Sequence, residues 1–436
     1  MQKKKSTKKL NVYLNGFTLG VLEFKARKEL SFTYAVSWLQ EGTAFPISRS
    51  LPLRETPYEG SKVYAYFDNL LPDVISIRQR MAAQMQAASD HVFDLLAVVG
   101  RDCVGALQFL PEDHARPKLE DAHGTDITNS EIAEKLKNLR LMPLAASIEQ
   151  DFRLSIAGAQ EKTAFLWLDN KWKIPHGSTP TTHIFKPQIG ELTPGLSFSD
   201  SVENEWLCSK IVEAFGLPVA KTEIQMFEDV KVLVVERFDR VWHENLLIRI
   251  PQEDLCQALS IPNFIKYENE GGPGIISIMN LLYESSLPEP DRIQFLKSQI
   301  IFFLLAAIDG HAKNFSIHWY SSGFQLTPLY DVLSAQPLTD NGKLTEEKIK
   351  MAMAVGESRH YRVDSIARRH FFQTAKDCRL DSDEVDILID QILTQVPEVI
   401  QKVSNTLDSS FPKTVSDSIF NGILKRSNRL RVFAPS

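Results

Sequence analysis

The sequence has few cysteines, no long apolar run and no excess of positive charge. Its four cysteines lie far apart, without a C-x-x-C pair or a zinc-ligand spacing, so we predict reduced thiols, a cytosolic setting and no zinc. The longest apolar run, residues 300 to 308, is too short to span a bilayer. With a formal net charge of -6, any attraction to nucleic acid requires a local basic face.

The length of 436 residues predicts two or three domains of an ordinary globular protein. The basic start "MQKKKSTKKL" is followed by strand-like "NVYLNG", which is not a signal-peptide core. We predict an α+β N-terminal subdomain (1–110), and a linker with a short helix (111–150). A strand-rich lobe (151–250) and a helical lobe (251–436) then follow.

The stretch "IDGHAKNF", residues 308 to 315, ends the apolar run with an aspartate. The following "FSIHWYSSGFQLTPLYDV" predicts a hairpin that carries Asp331 back beside Asn314. Asp309 could then accept a hydroxyl proton while Asn314 and Asp331 hold Mg²⁺ on nucleotide phosphates. The D-x4-N spacing equals that of the protein-kinase catalytic loop but is weak alone. The alternative to a catalytic loop is a helix terminus whose charged residues meet water, and both interpretations can be true together.

A phosphotransferase also needs a cation and a cover for the phosphates. Lys186, in the strand "THIFKPQ", is the candidate cation, and Glu205 or Glu203 on the next helix could orient it. The loop "SIAGAQEKT" (155–163) is the candidate cover, although it matches neither G-x-x-x-x-G-K-[ST] nor G-x-G-x-x-G. "VVERFDR" (234–240) stands where a kinase has its adenine hinge. The alternatives are a sheet-edge lysine, an ordinary hairpin loop and a strand end with exposed charges.

These residues resemble the HipA family of serine/threonine kinase toxins along nearly the whole chain. The resemblance rests on "FDNLLPD", "GRDCVGALQF", "SIAGAQEKTA", "PTTHIFKP", "VERFDR", "YENEGGPGI", "DGHAKNFS" and "LTPLYD", which occur in the family's order. It implies a two-lobed, protein-kinase-like α+β fold, with a strand-rich lobe and a helical lobe preceded by a small α+β subdomain.

The resemblance also implies roles for individual residues, with ATP and Mg²⁺ as cofactors. Asp309 would be the catalytic base, Asn314 and Asp331 the metal ligands, and Ser155 the site of an inactivating autophosphorylation. The residues that would bind ATP are Ala157, Gly158, Ala159, Gln160, Glu161, Lys162, Lys186, Glu236, Arg237, Phe238, His311, Ala312, Lys313, Asn314, Tyr330 and Asp331. A phosphate group on Ser155 would add roughly two negative charges, and it cannot share a site with the phosphate groups of ATP.

The family resemblance further implies partners. The protein substrate would be glutamyl-tRNA synthetase, whose inhibition produces dormant, drug-tolerant bacterial cells. A dimeric HipB-like antitoxin would join the chain on operator DNA and repress the operon, so the protein would be cytoplasmic, and nucleoid-associated when bound.

Lys376 and Arg379 match the family's DNA-contacting pair, and their spacing predicts one helical face. Residues 368–370 and the tail "KRSNRLR" (425–431) add positive charge. Such contacts would go to phosphates, with sequence readout left to the antitoxin. A solvated helix face is the alternative.

Two other functions remain open from the residues alone: a small-molecule phosphotransferase, and a DNA-bound corepressor with an idle kinase site. The sequence leaves undecided the phosphorylated target, the oligomeric state, the antitoxin and its operator, the phosphorylation state of Ser155 and which glutamate pairs with Lys186.

Overall fold

The structure is a computed structural model that describes residues 8–25, 29–141, 160–193 and 196–431. Ser155, Ala157, Gly158 and Ala159, which the sequence assigns to the phosphate loop, lie outside the described residues. The chain forms two compact units. The first takes its residues from Met1–Pro187, Gln225–Phe264 and Ser316–Gly323, and the second from Gln188–Ile224, Ile265–Phe315 and Phe324–Ser436.

The elements follow one another in this order along the chain. The strands are β1 (Lys9–Leu14), β2 (Phe17–Phe24), β3 (Leu30–Tyr34), β4 (Tyr58–Glu59), β5 (Leu107–Pro111), β6 (Gly124–Asp126), β7 (Thr163–Leu168), β8 (Lys171–Pro175), β9 (His183–Pro187), β10 (Gly190–Thr193), β11 (Leu196–Phe198), β12 (Thr222–Phe227), β13 (Val230–Glu236), β14 (Arg240–His243), β15 (Leu246–Arg249), β16 (Gln252–Asp254), β17 (Ser316–Tyr320), β18 (Gly323–Leu326), β19 (Lys350–Val355) and β20 (His360–Arg362). The helices are α1 (Val36–Leu39), α2 (Ser61–Asp68), α3 (Ile75–Gln84), α4 (Val92–Val99), α5 (Asn129–Leu141), α6 (Ser201–Ala214), α7 (Leu255–Ala258), α8 (Ile275–Leu282), α9 (Pro288–Leu305), α10 (Gln336–Asp340), α11 (Arg368–Asp377), α12 (Ser382–Ser404) and α13 (Lys413–Arg431).

The N-terminal part of the first unit is an antiparallel sheet in the order β4-β3-β2-β1-β5. Asn15 and Gly16 both adopt positive φ between β1 and β2, which is the geometry that a two-residue hairpin turn requires. Phe32, Phe67 and Phe109 are fully buried in the core that this sheet shares with α2 and α4. Alternating apolar residues in β1 and β2 therefore place one face of the sheet on the core.

A second sheet in the first unit has the order β12-β13-β9-β7-β8-β6. Asp169 and Asn170 both have positive φ and form the turn that joins β7 to β8. Phe165, Trp172 and Phe185 form the aromatic core of this sheet, with apolar residues of α5 packed against them. β9, which carries Lys186, is thereby held between β13 and β7.

The second unit is mainly helical. α9 is buried along its C-terminal half, and Phe295 and Phe303 are fully buried. The short pair β19–β20 lies between α10 and α11 along the chain, and 3₁₀ turns occur before α8 (Glu268–Glu270) and after α9 (Ala312–Asn314). Among the residues that the structure describes, no helix combines the length and apolar character needed to cross a membrane.

Glu253 is a buried carboxyl group in the first unit, on the β16 strand that pairs with β17. Its Oε1 accepts hydrogen bonds from the Arg49 backbone N–H (2.9 Å) and from Trp319 Nε1 (2.8 Å). Burial raises the pKa of Glu253 to about 7, because it outweighs the opposing hydrogen bonds from Ser48, Arg49 and Trp319. Folding therefore favours the protonated, neutral form of Glu253.

We expect Glu253→Gln to remove a pH dependence of stability. Since the folded pKa lies above that of the unfolded chain, the contribution of Glu253 is fully present below about pH 4.5 and is lost as the pH rises through about 7. The free energy of unfolding of the wild type should fall, relative to the glutamine variant, by on the order of 2 kcal/mol between these values. Denaturant unfolding at both pH values measures this, with exposed Glu41→Gln as control. The prediction would be contradicted if the free energy of unfolding changed equally with pH in the wild type and in the glutamine variant.

Candidate active site

The loop that carries Asp309 begins where α9 ends. The sequence predicts a helix that runs to Asp309, but α9 ends at Leu305, because Ala306 adopts a left-handed conformation with φ 52°. Its N–H donates to the carbonyls of Phe302 and Phe303, which closes the last helical turn. At Gly310 a Cβ would lie 2.6 Å from the Phe302 ring, so only glycine allows this close packing of the loop on the helix.

Asp309 is held through both its side chain and its carbonyl. Tyr267 Oη donates a hydrogen bond to Asp309 Oδ1, and His311 Nε2 lies 3.5 Å from the same oxygen. The Asp309 carbonyl accepts from the His311 backbone N–H (2.8 Å) and from Asn314 Nδ2 (2.7 Å). The Asp309 side chain is 45% exposed, whereas that of His311 is buried. A fixed, partly exposed carboxylate is the arrangement that a general base needs.

The hairpin β17–β18 forms as predicted, and the chain returns to the loop after it. Tyr330 Oη donates to the Lys313 carbonyl at 3.1 Å, so the residue before Asp331 contacts the residue before Asn314. Leu329 pairs with the main chain of Pro218 and Ala220. Asp331 has φ 59°, a strained conformation for a non-glycine residue that often marks a functional position.

By their chemistry, the side chains of Asn314 and Asp331 fit a magnesium ion as an oxygen pair. Because Asn314 Nδ2 donates to the Asp309 carbonyl, the atom left for a metal is Oδ1. Amide and carboxylate oxygens are the ligands that Mg²⁺ prefers, and a kinase site completes the shell with phosphates and water. The described ranges contain no cluster of three or more His, Cys, Asp or Glu side chains suited to a metal.

Lys186 lies in the first unit, on β9 opposite Leu233 of β13, and is only 5% exposed. Gln160, the first residue of the phosphate loop that the structure describes, donates through Nε2 to the Pro187 carbonyl at 2.8 Å. Glu161 forms an ion pair with Arg80 of α3. The end of the loop is therefore joined to the residue next to Lys186 and to the N-terminal subdomain.

The two candidate glutamates for Lys186 are both buried on α6, in the second unit. Glu203 Oε2 accepts from Gln188 Nε2 at 3.4 Å, two residues along the chain from Lys186. Asn204, between them, exchanges hydrogen bonds of 2.8 and 2.9 Å with the main chain of Ser334. These hydrogen bonds fix α6 against the segment that follows Asp331. Which of Glu203 and Glu205 pairs with Lys186 stays a prediction.

Arg237 in the hinge segment has a side chain that is fully engaged inside the first unit. Its guanidinium donates to both carboxylate oxygens of Asp239 (3.0 and 2.8 Å), to Asp102 (3.3 Å), to Thr181 (3.0 Å) and to the Cys103 carbonyl (2.8 Å). The side chain is 1% exposed. The backbone N–H of Arg237 also donates, to the Thr182 carbonyl at 2.8 Å, and its predicted role in ATP binding stays a prediction.

The neighbours of Arg237 are more open. Glu236 is exposed at the end of β13, opposite His183 of β9. The Phe238 ring packs on the His318 ring, with the ring centroids 5.6 Å apart. These two residues bracket the strand end at which the sequence predicts the adenine hinge.

Comparisons with known proteins show the family of the chain. Residues 10–127 match the model of the HipA N-terminal domain, and residues 154–400 match that of the HipA-like C-terminal domain. The chain belongs to the HipA family. A protein named "putative kinase Y4mE" from Sinorhizobium fredii is 35% identical over 354 residues, which cover 80% of this chain and 81% of that protein. The "serine/threonine-protein kinase toxin HipA" of Shewanella oneidensis is 26% identical over 358 residues, 79% of this chain and 78% of that one.

A solved structure, that of the Shewanella oneidensis toxin–antitoxin system HipA, HipB and its operator DNA complex, shares the fold. Its matching chain superimposes with a TM-score of 0.80 at 23% identity and covers 97% of both chains. The predicted kinase-like α+β fold is confirmed, and so is the assignment of the chain to the HipA family.

The predicted DNA-facing residues of this HipA-family chain are only partly on one helix. Lys376 and Arg379 are both exposed, but α11 ends at Asp377 and Arg379 has φ 55°. The prediction of a shared helical face is wrong in this detail, because the chain leaves the helix between the two residues. The Arg379 N–H donates to the Lys376 carbonyl at 2.9 Å, which keeps the two residues close.

Several basic side chains of residues 368–370 and 425–431 form ion pairs or hydrogen bonds within the protein. Arg368 is buried and pairs with Asp386 and Asp390 of α12. In the tail, buried Arg426 donates to the Leu304 carbonyl at 2.8 Å, and Lys425 pairs with Glu346. Arg368, Lys425 and Arg426 thus have partners within the protein, whereas Arg369 and Arg431 of the same segments are exposed, and the DNA-facing basic patch stays a prediction.

Tyr267 is the functional residue that sequence reasoning missed. It lies in "YENEGGPGI", which the family resemblance includes, but its contact with Asp309 spans 42 residues. The motif's Glu268 is packed so closely that a Cβ at Gly274 would meet its carboxylate. Glu268 also accepts hydrogen bonds from Ala354 N–H (2.5 Å) and Arg359 (3.1 Å). The motif therefore positions the tyrosine.

Proposed function

We propose that the chain is the toxin of a type II toxin–antitoxin pair, a serine/threonine protein kinase that uses ATP and Mg²⁺. The observation that carries the proposal is the half-exposed Asp309 side chain, whose carboxylate accepts a hydrogen bond from Tyr267, while the main-chain carbonyl of Asp309 accepts one from Asn314. Membership of the HipA family supports the same reaction.

In the proposed reaction, Asp309 accepts the proton of a serine or threonine hydroxyl as that oxygen bonds to the γ-phosphorus and the bond to ADP breaks. Tyr267 donates to Asp309 Oδ1, which leaves Oδ2 to receive the proton. Asn314 and Asp331 would hold Mg²⁺, which when bound neutralises charge on the phosphates.

The remaining predicted ATP contacts complete the proposal. Lys186 would pair with the phosphates, and residues 157–162 would cover them. Residues 236–238 would bind adenine through their main chain, with residues 311–314 and Tyr330 lining the site. The buried position of Lys186 in a central strand supports its role as a fixed cation.

For regulation and target, we propose autophosphorylation at Ser155 that switches the kinase off, and glutamyl-tRNA synthetase as the substrate whose inhibition leads to dormancy. A phosphoserine beside the nucleotide site would repel the phosphates of ATP. We further propose a dimeric HipB-like antitoxin and operator DNA as partners in the bacterial cytoplasm and nucleoid. The operator complex of the Shewanella oneidensis HipA and the exposure of Lys376 and Arg379 support this.

Mass spectrometry of the purified chain after incubation with ATP tests the proposal. We expect phosphate on Ser155 when Mg²⁺ is present and none when a chelator removes it, because the reaction needs the metal on the phosphates. Ser155→Ala should lose that modification but still transfer phosphate to glutamyl-tRNA synthetase. A chain that starts unmodified and gains no phosphate on either protein would contradict the kinase proposal and favour a corepressor with an idle site.

A further inference from the structure

An open groove on the first unit lies among three chain segments outside the catalytic loop and the hinge. It has a volume of about 520 Å³ and is lined by Trp167 and Trp242 together with Asp121, Asp169 and Glu244. We propose that this two-tryptophan groove binds a segment of a protein partner through arginine or lysine side chains. The inference goes beyond the kinase function and does not depend on it.

The two tryptophans are unusual because they are large apolar residues left open to solvent. Trp167 is 38% exposed and Trp242 is 43% exposed. An exposed pair that lines one groove is characteristic of binding surfaces, where tryptophan is enriched among the residues that contribute most to affinity.

Trp167 is held firmly in this position. Its backbone N–H donates to Thr182 Oγ1 at 2.7 Å, and its ring packs on that of Trp172 with centroids 4.6 Å apart. Trp172 in turn packs on Phe185 in the core of the sheet, at 4.8 Å. The ring is therefore preorganised, which lowers the entropy lost when a ligand binds.

The other walls of the groove are equally well anchored. Trp242 lies on β14 opposite Leu247 of β15, and Glu244 occupies the turn between these strands with φ 54°. The Ala122 N–H donates to the Asn245 carbonyl at 3.0 Å, which joins the turn to the segment that carries Asp121. Three chain segments thus meet in a fixed geometry.

The charge of the groove indicates the chemistry of its occupant. Asp121, Asp169 and Glu244 are all exposed, and the described residues offer Asp121 and Glu244 no ion-pair partner. Lys173 approaches Asp169 only to 3.8 Å. An arginine can stack on an indole face while it donates to carboxylates, and lysine can do so more weakly. The volume exceeds that of one side chain, so an extended basic segment fits better than a single cation.

Isothermal titration calorimetry of the full chain with a blocked peptide, Gly-Arg-Gly-Arg-Gly, tests the proposal. We expect binding to the wild type that weakens as salt is added, and no binding of the peptide in which glutamine replaces arginine. Trp242→Ala should weaken binding roughly tenfold or more, and Glu244→Gln roughly threefold.

Glu228→Gln is the matched control, because Glu228 is also exposed at a hairpin turn, with φ 53°. It should bind the peptide as the wild type does, and all variants should keep the thermal midpoint and kinase rate of the wild type. Equal binding of the glutamine peptide, or no effect of Trp242→Ala, would overturn the proposal. Sedimentation that shows a wild-type dimer lost in Trp242→Ala, without peptide binding, would assign the groove to self-association instead.

Discussion

Replacement of Asp309 by asparagine is expected to lower the rate of phosphoryl transfer by about 10²–10⁴-fold, the range that a general base contributes. The amide has the shape of the carboxylate, and Tyr267 can still donate to its oxygen. The amide cannot, however, accept the substrate proton. The main-chain contacts of residue 309 with His311 and Asn314 do not involve the altered group, so the loop should persist.

Initial rates of phosphate incorporation, with ATP affinity measured in parallel, check this expectation. Affinity for ATP should change little, because the loss is confined to the chemical step. Asp417→Asn is the matched control: Asp417 is an exposed aspartate on α13 and should behave as the wild type does. A loss smaller than about tenfold with ATP binding intact would show that another group takes the proton.

Replacement of Asp102 by asparagine is expected to have the largest effect on stability, on the order of 3–5 kcal/mol. Asp102 and Asp239 are buried with the guanidinium groups of Arg237, Arg240 and Arg249. Asp102 accepts from the three arginines at 2.9–3.3 Å. Without its charge, Arg237 and Arg240 would keep only the Asp239 carboxylate, Arg249 would lose its contact with a carboxylate, and an amide N–H₂ would face donors.

Thermal and denaturant unfolding measure the effect. Asp113→Asn is the control, because the side chain of Asp113 is 86% exposed and pairs only with the neighbouring His114 among the described residues. Its replacement should change the free energy of unfolding by less than about 0.5 kcal/mol. If Asp102→Asn changed the free energy of unfolding as little as the control does, water or other groups would have to compensate the charge of the buried arginines.

The pH dependence of the Asp102 variant follows from the same network. Burial alone would raise the pKa of Asp102, but Arg240, Arg237 and Arg249 outweigh it and lower the pKa to about 2. The contribution of Asp102 to stability is therefore present above about pH 4 and is lost as the pH falls toward about 2. The difference between wild type and variant should shrink over that range.

The network also has consequences for the hinge. Arg237 and Asp239 belong to the hinge segment, whereas Asp102 belongs to the N-terminal motif "GRDCVGALQF". Asp239 also accepts from the Gly105 backbone N–H at 2.7 Å. Two motifs that the family resemblance includes, more than 130 residues apart in the chain, are therefore parts of one buried cluster.

The sequence by itself determined the local features of this protein. The Asn15–Gly16 and Asp169–Asn170 turns, the hairpin before Asp331 and the order of the family motifs follow from turn chemistry and spacing, which act between neighbours in the chain. Family membership and the kinase-like fold could be predicted from the motifs because several specific stretches occur in one order.

Only the tertiary structure decided which side chains meet across long separations. Tyr267 on Asp309, Arg237 inside an ion network and Arg368 neutralised by α12 involve partners that no local pattern pairs. Trp167 and Trp242 likewise reach one groove only through the packing of separate hairpins. The physical reason is that burial and long-range pairing depend on how whole elements pack, whereas propensity and spacing report only a residue's near neighbours.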